Sequence, residues 1–492
     1  MAEARLLCVF GTGSDVGKSW ITAGLCRLFK QEGVAVAPYK AQNMSNNAGV
    51  TPDGLEMGRA QIVQAHAAGV VPHVDMNPLL LKPNTDIGAQ VIALGKVLGT
   101  MSARAYFRGD MEHRRGLVHS ALDRLRAQYS LLIVEGAGSC AEVNLRHRDL
   151  VNFPIAHHGD GRVLLVADIH KGGVFGQIVG SLACMLPEDR ARVAGFIINR
   201  FRGDPTLFED GVEWLQEHTG LPVIGVVPWT RDIQIELEDG LAPDTRTDPP
   251  PPADRSRLHA AVLRLPHMAN FTDFDALARH GVVLHYLSRP RDLAPYDVLV
   301  LPGTKNTRGD LDWLRREGWT NPISAYGGQI IGLCGGYQML GESISDPHGI
   351  EGEPGTTPGL GLLPVATEMA TEKTTIPVRG LLGELPVEGY EIHVGQTEVR
   401  CAPLLMLDGA RPEGARSGRV MGTYLHGLFD AEGVVEALLG PVRPDLRWPS
   451  LPGHTAWRET QLDALAEHLR GCLDLDALSA ISGIEFSQGD KQ

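Results

Sequence analysis

Gly332-Leu333-Cys334-Gly335-Gly336-Tyr337-Gln338 decides how this chain is read. Gln329-Ile330-Ile331 before it predicts a short buried strand, and Tyr337-Gln338-Met339-Leu340 after it predicts the start of a helix. Cys334 then sits on a sharp strand-to-helix turn whose glycines let the backbone bend and a substrate approach. Such an elbow lifts the thiol out of the sheet and sets it at a helix N-terminus, where the dipole favours thiolate. A thiolate there is a nucleophile for an acyl group. An inert core cysteine after a strand is the ordinary alternative, and the flanking glycines argue against it.

A nucleophile of this kind needs a base that is near in space, not in sequence. The chain has 18 histidines. His426 stands out because it ends the strand-like run Val420 to Leu425 and precedes Gly427. A third element lies upstream, where the strand Tyr296 to Leu301 runs into Pro302-Gly303-Thr304. A glycine turn at a strand end can aim backbone N–H groups at a developing oxyanion. Pro-Gly-Thr, Gly-Leu-Cys-Gly-Gly-Tyr-Gln and Tyr-Leu-His-Gly, in this order, resemble the triad-type (class I) glutamine amidotransferases. The resemblance implies a flavodoxin-like domain that releases ammonia from glutamine through a Cys334 thioester. It makes His426 the base, Gly303, Thr304 and Gly335 the surroundings of the oxyanion, and Gln338 a residue that helps hold glutamine. The usual third member, a Glu two residues after the His, is here Leu428, and the first acid beyond is Asp430. Either another group orients His426 or the glutaminase is intrinsically weak.

At 492 residues the chain has room for two or three domains. Its 43% hydrophobic and 21% charged residues suit a soluble enzyme. No apolar run reaches membrane-spanning length, and the N-terminus leads straight into a strand without a signal-peptide pattern, so the cytoplasm is the expected compartment. Seven irregularly spaced cysteines argue against a disulfide scaffold, and no Cys/His cluster has zinc spacing. A net charge of −14 disfavours nonspecific nucleic-acid binding. Asp248-Pro249-Pro250-Pro251-Pro252-Ala253-Asp254 predicts an extended linker. The expected organisation is a synthetase domain over 1–240, a linker over 241–256, an amidotransferase domain over 257–440 and a C-terminal helix and tail over 441–492.

The N-terminal half opens with the β-type run Arg5 to Phe10, then Gly11-Thr12-Gly13-Ser14-Asp15-Val16-Gly17-Lys18-Ser19, then helical periodicity from Ile21 to Lys30. Strand, glycine loop and helix make an anion cradle of backbone N–H groups. In it, Gly11, Thr12, Gly13, Asp15, Val16 and Gly17 would wrap the phosphates of ATP, Lys18 would reach the terminal ones, and Ser19 would bind Mg²⁺. Five residues, not four, separate Gly11 from Gly17. Buried strands ending at Glu135 and Asp168 offer further Mg²⁺ ligands, although a strand-end Asp is often only a cap. Buried strands alternating with helical stretches predict a mainly parallel α/β sheet. The five-residue spacing and Val134-Glu135-Gly136-Ala137-Gly138 resemble the dethiobiotin-synthetase-like P-loop enzymes, which activate carboxylates with ATP. By that resemblance Asn199, in the Asn-Arg segment after a late strand, contacts adenine.

Lys40-Ala41-Gln42-Asn43-Met44-Ser45-Asn46-Asn47 follows another strand and is dense in amides. Turn chemistry explains one or two of these Asn residues, not the set. Lys40, Gln42, Asn43 and Asn46 suit a polar substrate rich in carboxylates and carboxamides. With Met76-Asn77-Pro78-Leu79-Leu80-Leu81-Lys82-Pro83, Gly389 to His393 and the domain order, the chain resembles the cobyric acid synthases, glutamine-dependent amidases of cobalamin biosynthesis, from about Leu6 to Phe429. The resemblance implies ATP-driven amidation of four peripheral carboxylates (b, d, e and g) of adenosylcobyrinic acid a,c-diamide, through acyl phosphates. It implies no protein-bound cobalt and only small-molecule partners: corrinoid, glutamine and ATP. Lys40 would stabilise the reacting carboxylate or its phosphate. The rival readings are the a,c-diamide synthase of the same pathway, a partition-type nucleotide switch, which would want a second lysine where Gly13 stands, and an amidotransferase acting on a cell-wall lipid.

Overall fold

The computed structural model describes residues 3–84, 88–236, 248 and 250–486. Two parallel sheets organise it. The first runs in the order Val223–Pro228, Val193–Phe201, Arg162–Asp168, Arg5–Gly11, Leu131–Glu135 and Val36–Tyr39, every pair parallel. Its strands are apolar on both faces because helices cover both sides. Leu131 to Val134 have no measurable exposure, and each such side chain contributes about 1.5–3 kcal/mol on leaving water. The helix Lys18–Gln31 follows the first strand directly, so the glycine loop lies at the carboxyl end of a central strand, where open α/β sheets bind ligands.

The second sheet runs Val283–Leu287, His259–Leu263, Val298–Leu301, Gln329–Leu333, Val420–Thr423 and Ala415–Ser417, parallel except for the last strand. The single strand expected over Val420 to Leu425 is two. Val420–Thr423 belongs to this sheet and Leu425–His426 pairs instead with Leu385–Val399. The break falls at Tyr424, whose amide donates to Glu413 Oε1 at 2.7 Å rather than to a strand. A long antiparallel ribbon, Val365–Leu382 with Leu385–Val399, lies against this half.

The linker expectation falls partly on residues 241–247 and 249, outside the described residues. Asp248 is fastened to the second half, its carboxylate accepting from the backbone amides of Ser288 (2.8 Å) and Arg289 (2.9 Å). The C-terminal segment does not form a separate appendage. Helix His454–Arg470, within the expected C-terminal segment, returns to the first half and packs on Lys18–Gln31. Leu462, Leu465 and Leu469 join its core, and Arg27 pairs with Glu459 (2.8 Å) and Asp463 (2.7 Å). A Cβ on Gly24 would collide with Leu469 Cδ1, so only glycine permits this helix approach. At the start of the same helix, His454 sits between Glu236 (3.0 Å) and Asp430, so first half, second half and tail meet in one ion-pair network.

Candidate active site

Cys334 lies between the strand Gln329–Leu333 and the helix Gly335–Leu340. Its φ of 49° and ψ of −110° are strained for a residue with a Cβ. Close packing imposes the bend: a Cβ on Gly336 would collide with the carbonyl of Leu301, and one on Gly335 would lie 2.5 Å from Thr304 Cγ2. The half-buried thiol is 3.5 Å from the carbonyl of Ile392. His426, 2% exposed, is hydrogen-bonded to it. Gly303 sits between the two, since a Cβ there would be 3.6 Å from His426 Cε1 and 3.7 Å from Cys334 Cβ.

The missing Glu has a substitute. Asp273 Oδ2 is 2.7 Å from His426 Nδ1, and its other oxygen accepts from the amide of Gly427 at 3.1 Å. One buried carboxylate thus fixes the ring and the backbone that follows it. Position 428 cannot serve, because Leu428 is 1% exposed within an apolar cluster, where an unpaired carboxylate would be costly. Asp430 turns away towards His454 and Arg279. Burial pushes the His426 pKa down, but the charge of Asp273 and hydrogen bonds to Asp273 and Cys334 raise it to about 10. At neutral pH the ring therefore carries a proton that it can give to a departing amine.

Gln338 is 3% exposed, its carbonyl accepting from Thr307 Oγ1 at 2.9 Å and its amide donating to Tyr424 at 3.0 Å. It faces the same pocket as Cys334, Thr304 and Gly335. Gly389 to His393 lines this site: Tyr390 stacks on His426 with centroids 5.3 Å apart, and Ile392 and His393 border the pocket. Asn84, Gln90 and Thr100 from the first half line the same pocket. Asp273 had no local signature in the sequence; the only pointer was the empty Glu position at Leu428.

In the first half the glycine loop runs from the strand Arg5–Gly11 into the helix Lys18–Gln31. Lys18 Nζ donates to the carbonyls of Gly13 (2.9 Å) and Gly138 (3.0 Å), and Ser19 Oγ to Glu135 Oε1 (2.7 Å). Asn199 Nδ2 donates to Val16 O at 2.8 Å, and a Cβ on Gly17 (φ 95°) would collide with that amide. Asn199 thus braces the loop. Asp15 also has positive φ, 56°, and is exposed. Thr12 Oγ1 lies 3.3 Å from Gln177 Oε1.

Glu135 is fully buried and gathers Ser19, Lys40 Nζ (2.9 Å) and Gln64 Nε2 (2.5 Å). Burial pushes its pKa up, yet the Lys40 charge and the hydrogen bonds from Gln64, Lys40 and Ser19 hold it below the ordinary value. The carboxylate and hydroxyl are hard oxygen donors of the kind Mg²⁺ takes. Asp168 is directed elsewhere, to Arg200 (2.9 Å) and the amide of His170 (2.7 Å). The amide-rich segment divides. Gln42 accepts from Tyr106 at 2.5 Å and Asn43 donates to Gln61 at 2.9 Å, so both are held internally. Asn46 Oδ1 and both polar side-chain atoms of Asn47 are buried without a hydrogen-bond partner, and such atoms call for an explanation.

Residues 7–243 match the CobQ/CobB/MinD/ParA nucleotide binding domain family, and residues 259–434 match the CobB/CobQ-like glutamine amidotransferase domain family. The cobyric acid synthase of Chlorobium phaeobacteroides (strain BS1) is 50% identical over 495 residues, covering 97% of this chain and 99% of that one. The chain belongs to the cobyric acid synthase family. The cobyric acid synthases of Chlorobaculum tepidum (50% identical, 99% of each chain) and Phocaeicola vulgatus (46% identical, 96% of this chain and 97% of that one) match likewise. A solved glutamine amidotransferase is 18% identical with a TM-score of 0.30, covering 37% of this chain and 97% of that one, too slight a likeness to bear on function. Membership makes the chain an ATP-dependent, glutamine-using ligase of cobalamin biosynthesis. The nucleotide-binding family alone also holds MinD and ParA proteins; the amidotransferase half and the full-length relatives set the partition-type switch aside. No helix among the described residues is long and apolar enough to cross a membrane.

Asp273→Asn keeps the shape of the carboxylate but removes its charge and inverts the hydrogen bond to Nδ1. It is expected to lower glutamine hydrolysis about a hundredfold, read as glutamate release, with His426→Ala at least as low. Normal release from Asp273→Asn would remove Asp273 from the orientation of His426.

Proposed function

We propose that the chain amidates four peripheral carboxylates (b, d, e and g) of adenosylcobyrinic acid a,c-diamide with ammonia drawn from glutamine at Cys334, giving adenosylcobyric acid. The observation that carries this reading is the pocket at Cys334, which residues of both halves line together, Asn84 and Gln90 of the nucleotide-binding half among them. A ligase of this class requires an ammonia source joined to a carboxylate-activating half.

Cys334 Sγ attacks the carboxamide carbon of glutamine, and the oxyanion develops beside the Gly303–Thr304 turn and Gly335. His426 hands its proton to the departing nitrogen, so ammonia leaves as the thioester forms. Water, relieved of a proton by the now neutral ring, then releases glutamate. In the other half, a substrate carboxylate takes the γ-phosphoryl of ATP to give an acyl phosphate and ADP. Ammonia displaces phosphate to give the amide. A closed site matters because water would compete for the acyl phosphate.

The backbone of Gly11 to Ser19 and the Lys18 ammonium would carry the nucleotide phosphates, with Asn199 at the adenine side. Ser19 and Glu135 would hold Mg²⁺, which supplies charge neutralisation on the phosphates. Asp168 could join them only by releasing Arg200. Lys40, beside Glu135, is suited to the reacting carboxylate. The unpartnered amides of Asn46 and Asn47 are suited to the carboxamides already on the substrate. Mass spectrometry of the products formed from the corrinoid diamide tests this reading.

A further inference from the structure

Between the two halves lies a hairpin that the chemistry above does not use. Strands Ala48–Val50 and Glu56–Gly58 pair antiparallel, with Ala48 opposite Gly58 and Val50 opposite Glu56. One strand reaches the surroundings of His426. The Ala48 carbonyl accepts from the Tyr390 hydroxyl at 3.0 Å, and the Ala48 amide donates to Asn270 Oδ1 at 3.1 Å. Tyr390 stacks on His426, and Asn270 opens the short helical turn that carries Asp273.

The other strand reaches the pocket of Cys334. Glu56, 2% exposed, accepts from Lys82 at 2.6 Å and from Lys373, which extends from the ribbon of the second half and also reaches Gln90 at 3.3 Å. Lys305, next in sequence to Thr304, belongs to the same cluster, and Lys305, Lys373 and Cys334 line one pocket. A single carboxylate thus pairs with two lysines and feels the charge of a third. Burial raises the Glu56 pKa, and the charges of Lys373, Lys82 and Lys305 bring it far below the ordinary value. Burial, reinforced by the neighbouring lysines, pushes Lys305 and Lys373 down to about 8. Buried ammonium groups in excess over their counterion are costly, and they are tolerable where an anionic ligand completes the balance. Glutamine brings such an anion, its α-carboxylate, into this pocket.

We propose that this hairpin is part of the glutamine site, with Glu56 the positioning residue that holds Lys305 and Lys373 at the pocket wall to receive the α-carboxylate of glutamine. The inference rests on the glutaminase reading of Cys334. The first half then does more than consume ammonia, because it shapes the pocket in which ammonia is made.

The test compares glutamine and ammonia as nitrogen sources in the full-length enzyme, in Glu56→Gln, in Lys373→Met and in the double variant Glu56→Gln/Lys82→Met. The expected result is a KM for glutamine raised about tenfold or more in all three, with ammonia-dependent turnover within about twofold of the parent. The double variant removes one positive and one negative charge, so return of its glutamine KM to the parent value would make Glu56 a charge balancer and overturn the proposal. A parallel fall with both nitrogen sources in Lys373→Met, or an unchanged glutamine KM in the single variants, would overturn it too. Failure of the parent enzyme to use glutamine at all would instead refute the glutaminase reading.

Discussion

Cys334→Ala is expected to abolish glutamine-dependent amidation, by about a thousandfold or more, while amidation with free ammonium salts continues near the parental rate. The asymmetry follows from the architecture. The thiol stands on a strained elbow in the second half, bonded to a buried His426 that Asp273 orients. Among the described residues that line the pocket, Cys334 is the one thiol. The residues proposed to activate the carboxylate, Lys18, Ser19, Lys40 and Glu135, belong to the first half and bond to one another and to its loops. Alanine keeps the Cβ of cysteine and fills the same backbone bend, so the fold persists. Loss of ammonia-dependent turnover together with glutamine-dependent turnover would mean that Cys334 serves something other than ammonia supply.

Lys18→Ala is expected to remove amidation with either nitrogen source, again by about a thousandfold or more, because in-line phosphoryl transfer depends on positioned positive charge. Lys18 is 7% exposed and its ammonium is poised between the carbonyls of Gly13 and Gly138. Phosphate oxygens would replace those carbonyls at little cost, since the ammonium is already desolvated and aimed. Glutamate release by the second half, assayed alone, should survive the substitution to a measurable level. Full ammonia-dependent activity in Lys18→Ala would refute the assignment of the glycine loop to ATP.

These two residues were legible in the sequence because their signals are local. Glycines must flank a tight elbow, a lysine and a hydroxyl must follow a phosphate-binding turn, and both patterns fit within about ten residues. The parallel sheets were legible for a related reason: strands buried on both faces read as continuous apolar runs, as Leu131 to Val134 do. Asp273 was not legible, because a carboxylate that meets His426 from 153 residues upstream leaves no spacing to find. The ribbon of Val365–Leu382 and Leu385–Val399 escaped because much of it is half-exposed and neither strictly alternating nor apolar throughout. The return of His454–Arg470 to the first half was hidden too. A helix was expected there, but nothing local says that Gly24 leaves the groove in which Leu465 and Leu469 lie. Glu56 belongs to the same class, a charge whose partners Lys82, Lys305 and Lys373 come from three separate stretches of chain.

The most direct test of the account is mass spectrometry of the products formed when the enzyme is supplied with adenosylcobyrinic acid a,c-diamide, ATP, Mg²⁺ and glutamine labelled with ¹⁵N in its amide. The account predicts four successive amidations, each carrying the label. Recovery of unchanged diamide, or of amides without label, would contradict it.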